Sequence, residues 1–301
     1  MSIRRWFSAL RGSDLGSIGI ALLLLISALL LPPIDVPRET YDSLVVFDIT
    51  QSMNVEDYEL DGSPVSRLTY AKHAARTALQ SLPCGSRIGW AAFAEYRTVV
   101  LLAPVEVCAS YGDLLASLEK IDGRMRWGQA SEVTKGVFWS MRAARDLGTG
   151  TNVILLTDGQ EAPPIDATRP AVAIFDDLTV GAIDGWLVGV GGDIPRPIPR
   201  TDAEGNRIGF WRAHQVIQQA TEPGAVAFTS NEHLSALRGS HLQTLARQVG
   251  FQYRRLSDAD AMEVTLRDPR FARRVPVPTD FAWVPAALAL LILLIRYRPA
   301  L

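Results

Sequence analysis

Leu44-Val45-Val46-Phe47-Asp48-Ile49-Thr50-Gln51-Ser52-Met53 is an apolar run that breaks onto a carboxylate and two hydroxyls at alternate positions. The uninterrupted run Leu44 to Phe47 reads as a strand covered on both faces. Working outward, similar short runs occur at Ile88 to Phe93, Val153 to Leu156 and Trp186 to Val190. Between them, Leu68, Ala71, Ala75, Ala78, Leu79 and Leu82 recur at helical spacing, as do Val133, Val137, Met141 and Ala144. Leu242, Leu245, Ala246 and Val249 form a further helical stripe ahead of an edge strand at Phe251 to Leu256. Strands alternating with helices predict an α/β fold, a doubly wound, mostly parallel sheet with one antiparallel edge strand. Such sheets gather their binding loops at the carboxyl ends of the strands, which directs attention to Asp48 and its neighbours.

The whole chain of 301 residues sets the limits of the reading: 48% hydrophobic and 21% charged residues, 30 Lys and Arg against 32 Asp and Glu, and four His. This composition excludes a disordered chain and gives no basic surface for nucleic acid or His-rich metal cluster. The mean hydropathy of +0.11 is high for a soluble protein, and the excess lies at the two ends. Leu15 to Leu31 carries no charge and runs into Pro32 and Pro33, so residues 15–33 are expected to be a transmembrane helix, with a cleaved signal peptide as the rival reading. Phe281 to Ile295, beyond the Pro-rich break Val275-Pro276-Val277-Pro278, is expected to be a second span, with a buried core helix as its rival. Arg4, Arg5, Arg11, Arg296 and Arg298 flank these segments, so the positive-inside bias assigns 1–14 and 296–301 to the cytoplasm and the central domain to the periplasm of a bacterial inner membrane.

Three loops of the central part supply hard oxygen ligands: Asp48, Thr50 and Ser52 after the first strand, Ser131 in Gly128-Gln129-Ala130-Ser131-Glu132-Val133, and Asp158 in Thr157-Asp158-Gly159. Hydroxyls with two carboxylates suit Mg²⁺, Mn²⁺ or Ca²⁺ rather than zinc or copper. On its own the Asp-x-Thr-x-Ser spacing more often caps a turn than binds metal. The strand before it and the matching Thr-Asp-Gly later carry the metal reading.

On these residues the sequence resembles a von Willebrand factor type A domain with a metal-ion-dependent adhesion site, over about residues 40–267. The resemblance implies a Rossmann-like domain in which Asp48, Thr50, Ser52, Ser131 and Asp158 hold the ion. It further implies that the hydroxyls bind directly, the aspartates act largely through water and a partner's carboxylate completes the shell. Thr50 and Ser131 depart from the family's Ser and Thr, and both keep the hydroxyl. The stretches 48–54, 83–90, 95–98, 102–108 and 157–163 also resemble MxaL-type accessory proteins of bacterial methanol oxidation. That resemblance implies a membrane-anchored periplasmic factor, working with other accessory proteins, that acts on a quinoprotein methanol dehydrogenase, with calcium insertion as its role. Relatives that serve as adhesion or stress-related membrane proteins, several working with cytoplasmic MoxR-type AAA+ ATPases, supply the alternative.

If Ala94 to Arg97 turn the chain, residues paired across the hairpin sum to about 191, and Cys84 and Cys108 sum to 192, so the two cysteines are expected to face each other and close a disulfide. Two buried thiols are the alternative. No enzyme is expected: His73, His214, His233 and His241 are scattered away from the strand-end loops, and no Gly-x-Ser-x-Gly elbow occurs. Gly189-Val190-Gly191-Gly192 is followed by Asp193, Pro195, Pro197 and Pro199, which forbid the helix of a dinucleotide fingerprint. The segment 193–240 is long for a connection in such a fold and reads either as a decorated surface loop or as a partner-binding insertion beside the metal site.

Overall fold

The computed structural model describes residues 14–148, 150–164, 179–217 and 231–297. Calls that fall on residues 1–13, 218–230 and 298–301 lie outside them. The chain divides into two units, Glu39–Arg273 and the pair of terminal segments Met1–Arg38 with Arg274–Leu301.

The central unit is built on strands β1 (Asp42–Asp48), β2 (Arg87–Ala94), β3 (Arg97–Glu106), β4 (Asn152–Thr157), β5 (Gly185–Gly189) and β6 (Gln252–Arg255). Its helices are α1 (Arg67–Leu79), α2 (Tyr111–Glu119), α3 (Val133–Leu147), α4 (Gly239–Val249) and α5 (Ala259–Leu266). The sheet order is β6-β5-β4-β1-β2-β3, parallel throughout except for the β2–β3 hairpin. The expected α/β sheet, mostly parallel with an antiparallel edge strand, is therefore present. Because successive side chains of a strand point to opposite faces, Val45 and Phe47 pack with Trp90, Ala75 and Met262 on one side, while Leu44 and Val46 pack with Phe93, Val137 and Leu245 on the other. Both faces are covered, which is why β1 has no polar alternation.

Local chemistry sets the helix ends. The Ser66 hydroxyl accepts the Thr69 N–H at 3.1 Å to start α1, and Asp258 accepts the Ala261 N–H at 2.8 Å to start α5. Gly250, in the left-handed region at φ +83°, closes α4.

The hairpin explains the cysteine arithmetic. Near its turn Ala94 pairs with Arg97 and Ala91 with Val100, but two irregularities between Ile88 and Ala91 shift the register until Arg87 faces Glu106. Gly89 makes this possible, since a Cβ there would lie 2.6 Å from the Leu102 carbonyl. Cys84 and Cys108 then meet just beyond the hairpin's open end in the expected disulfide.

In the terminal unit, strands Ile34–Thr40 and Arg273–Thr279 pair with each other, and the helices Asp14–Leu30 and Trp283–Arg296 pack together. The expected spans, residues 15–33 and 281–295, come out shorter: the helices have 17 and 14 residues, and among the described residues no helix is long and apolar enough to cross a membrane. The reason at the first is Pro32 and Pro33, which lack the N–H a helix needs and hand the chain to a strand at Ile34. Both helices nevertheless leave large apolar side chains in solvent, among them Leu23, Leu29, Leu30, Leu290, Leu291 and Leu294.

Candidate metal centre

Asp48 is the last residue of β1 and is completely buried. One of its carboxylate oxygens accepts the Thr50 N–H at 2.9 Å and the Thr50 hydroxyl at 2.7 Å; the other accepts the Thr157 hydroxyl at 2.6 Å. After Asp48 the chain enters a short 3₁₀ turn, Gln51–Asn54, pinned by the buried Ile49 and Met53. That turn brings the Thr50 and Ser52 hydroxyls within 3.2 Å of each other. Ser131 arrives from another direction: two backbone hydrogen bonds of 2.8 Å with Ala162 fix it just ahead of α3. Its hydroxyl is buried and has no partner among the described residues.

Thr50, Ser52 and Ser131 line one cavity of about 280 Å³ at the carboxyl end of the sheet. Asp48 and Asp158 are not on its wall. Asp158 follows β4, is fully buried, and accepts the Gln160 N–H at 3.0 Å on one oxygen. Its other oxygen takes the Arg67 guanidinium and the Ser235 hydroxyl, both at 2.7 Å.

Arg67 is the residue the sequence reading missed. It is completely buried at the start of α1, with its Nε and Nη2 on Asp57 at 2.7 to 3.1 Å and its Nη1 on Asp158 and Ser235. Gly191 must be glycine for this: its φ is +128°, and a Cβ would sit 2.7 Å from the Arg67 Nε. A signal was present in the sequence. Arg67, Ala71, Ala74 and Ala78 share one helical face, and a cation on an otherwise apolar stripe has to find buried anions.

The electrostatics follow from counting charges. Asp57 and Asp158 share the one Arg67 guanidinium, an excess of one negative charge, while Asp48 has only hydroxyl and N–H partners. Burial, and then the charge of Asp158, push the Asp48 carboxyl up from the ordinary range despite its hydrogen bonds from Thr157 and Thr50. A divalent cation would relieve this excess. The donor set fits one: an unsatisfied buried hydroxyl at Ser131, two more at Thr50 and Ser52, and two carboxylates behind them whose oxygens are already hydrogen-bonded. Cys84, Glu106 and Cys108 also cluster, but the disulfide consumes both thiols and leaves no thiolate for a metal.

Residues 44–160 match the model of the von Willebrand factor type A domain, and the chain carries such a domain at its centre. An aerotolerance-related membrane protein from Bacteroides fragilis shares the fold with a TM-score of 0.50 at 18% identity, over 75% of this chain and 96% of that one. A membrane-spanning protein from Vibrio fischeri is similar at 19% identity and TM-score 0.31, over 74% and 94% of the two chains. A von Willebrand factor type A protein from Catenulispora acidiphila is similar at 11% identity and TM-score 0.42, over 85% and 50%. No curated protein matches the chain.

Proposed function

We propose that this chain is a membrane-anchored, periplasmic assembly factor that docks a client protein through a divalent ion held by Thr50, Ser52 and Ser131, with Asp48 and Asp158 behind them. The carrying observation is the buried Ser131 hydroxyl, which has no partner among the described residues and belongs to the lining of the same cavity as Thr50 and Ser52. When bound, the ion supplies Lewis acidity toward a carboxylate. The chain's own part is to hold neutral oxygens around that point, so that the ion keeps its appetite for an external anion. The role we infer is docking, and His241, at the edge of this region, is engaged with Glu161 at 3.2 Å. Calorimetry on the full chain in detergent tests the site. Mg²⁺, Mn²⁺ or Ca²⁺ binding that Asp48→Ala abolishes supports it, and identical isotherms for variant and wild type reject it.

Anchoring rests on the exposed leucines and isoleucines of the two terminal helices, which water would not favour. The described helices, of 17 and 14 residues, reach about 26 and 21 Å, short of a hydrocarbon core of about 30 Å, so anchoring by them requires a thinned bilayer. An alkaline phosphatase fusion after Gly205 is expected to be active; an inactive fusion rejects the periplasmic placement.

The client favoured by the sequence resemblance in 48–54, 83–90, 95–98, 102–108 and 157–163 is a quinoprotein methanol dehydrogenase, with calcium insertion as the task. A second reading, a stress-related or adhesion membrane protein working with a MoxR-type ATPase, draws support from the fold shared with the aerotolerance-related protein. Deleting the gene separates them. Calcium-poor, inactive dehydrogenase supports maturation, and fully loaded enzyme favours the second reading.

A further inference from the structure

Arg67 distributes its donors in a way that anchoring a helix does not explain. Its Nε and Nη2 fork onto Asp57, and one guanidinium facing one carboxylate already balances the charge at the start of α1. The remaining nitrogen, Nη1, serves the strand-end loops and the insertion instead: it donates to Asp158 Oδ2 at 2.7 Å, to the Ser235 hydroxyl at 2.6 Å and to the Ser52 carbonyl at 3.4 Å. The Ser235 hydroxyl in turn donates to the same Asp158 oxygen at 2.7 Å, and the other oxygen of Asp158 accepts the Gln160 N–H. Arg67, Asp158 and Ser235 are all completely buried, so water neither competes for these bonds nor screens the charges.

The network extends into the segment after β5. Asp57 Oδ2 accepts the Gly192 N–H at 2.8 Å, at the base of the insertion. Ser235 lies in the short strand that pairs with Arg196–Pro197, and its carbonyl accepts from Arg67 Nη2 at 3.3 Å. Asp158 is therefore held jointly by α1 and by the insertion. A guanidinium fixed on a carboxylate oxygen cancels much of the charge that Asp158 has to offer a cation, and it repels the cation itself. Drawing Asp158 toward an ion would also strand a buried arginine nitrogen, which is costly.

Resting on the metal-docking reading above, we infer that Arg67, with Ser235, is a positioning residue for the ion: it keeps Asp158 bound to α1 and the insertion, and so limits how tightly the site holds its metal. An arginine that only fastened the fold would, on removal, loosen the site and weaken metal binding. A counter-charge that competes with the ion gives the opposite sign.

The test uses the full chain in detergent and the paired substitution Asp57→Asn with Arg67→Gln, which removes one charge of each sign and leaves the net charge of the cluster as it was. In calorimetry Mg²⁺ is expected to bind about tenfold tighter than to wild type, the worth of one hydrogen bond to a charged group. Ser235→Ala takes a single neutral donor from the same oxygen and strands no charge; it is expected to tighten Mg²⁺ binding about threefold. Water-proton relaxation with Mn²⁺ supplies a readout that a loss of stability would not produce: in the paired variant the ion is expected to hold a water fewer, with Asp158 in its place. Mg²⁺ binding that is unchanged or weaker in the folded paired variant, or an unchanged water count, overturns this inference alone. Where the paired variant does not fold, Ser235→Ala decides, tighter binding supporting the inference and equal or weaker binding overturning it. Wild-type protein that binds no Mg²⁺ is a different result, and it sinks the docking reading along with the inference.

Discussion

The two ends of the same parallel strands hold their carboxylates by different means. At the amino end, Glu106 lies beside the disulfide and accepts the Gly85 and Ala109 N–H groups; burial raises its carboxyl, but these bonds, with that from Cys108, hold it below the ordinary value. Asp268 behaves likewise: burial raises it, and Arg270 together with the Trp186 Nε1–H, at 2.8 Å, brings it down. At the carboxyl end, Asp48 is pushed up, the Ser131 hydroxyl has no partner among the described residues, and Asp57 and Asp158 divide one guanidinium. The amino end is not fastened throughout, since burial pushes the Asp42 carboxyl up and neither its Oδ1 nor the Ser43 hydroxyl has a partner among the described residues.

The largest expected effect comes from removing the only cation shown pairing with that carboxyl-end cluster. Arg67→Ala leaves Asp57 and Asp158 buried without their partner and should cost about 3–5 kcal/mol of stability in urea unfolding. Its amino-end counterpart, Arg270→Ala, removes a partner that is 44% exposed and should cost under about 1 kcal/mol. Equal losses would erase the distinction between the two ends.

Next in size is the disulfide. Its half-cystines are 24 positions apart, and in the chain-entropy model losing such a bridge costs roughly 3 kcal/mol. The paired substitution Cys84→Ser with Cys108→Ser should lower the unfolding free energy by that amount. Mg²⁺ affinity should be retained, because the bridge lies at the opposite end of the strands from the site. A loss of Mg²⁺ binding would show that the two ends are coupled.

The smallest effect concerns Glu106. A carboxyl whose folded value is depressed adds stability that is present above its unfolded value, and that stability is lost as pH falls through the folded one. The stability difference between wild type and Glu106→Gln, followed by chemical unfolding, should therefore be present at neutral pH and fade below about pH 4.5, the ordinary Glu value. A difference that grows on acidification would contradict the hydrogen-bonding account of this end.

The sheet was legible in the sequence because β1, β2, β4 and β5 are covered on both faces and so appear as continuous apolar runs. Helices α2 and α5 were not, since they have nine and eight residues and too few turns to show a period. The insertion's strands hid for another reason. Arg196–Pro197 pairs with Leu234–Ser235, more than thirty residues away, so nothing local signals the pairing. The hydroxyls and aspartates of the site stood out because they interrupt apolar runs at strand ends. Arg67 showed itself only by its place on the apolar face of α1, and its anions, Asp57 and Asp158, lie 10 and 91 positions away. The apolar terminal segments were plain, but Pro32 and Pro33 were counted inside a span that the first helix ends before.

Ser131 offers the most direct test of the central claim. In the absence of metal its hydroxyl makes no bond among the described residues, so Ser131→Ala removes an unsatisfied polar group and should leave the thermal midpoint of the metal-free protein unchanged or slightly higher. If the hydroxyl is a ligand, the same variant should bind Mg²⁺ at least about tenfold more weakly in calorimetry, the loss of one oxygen from a hard-cation site being worth that much. Mg²⁺ isotherms that superimpose for wild type and Ser131→Ala would contradict the account.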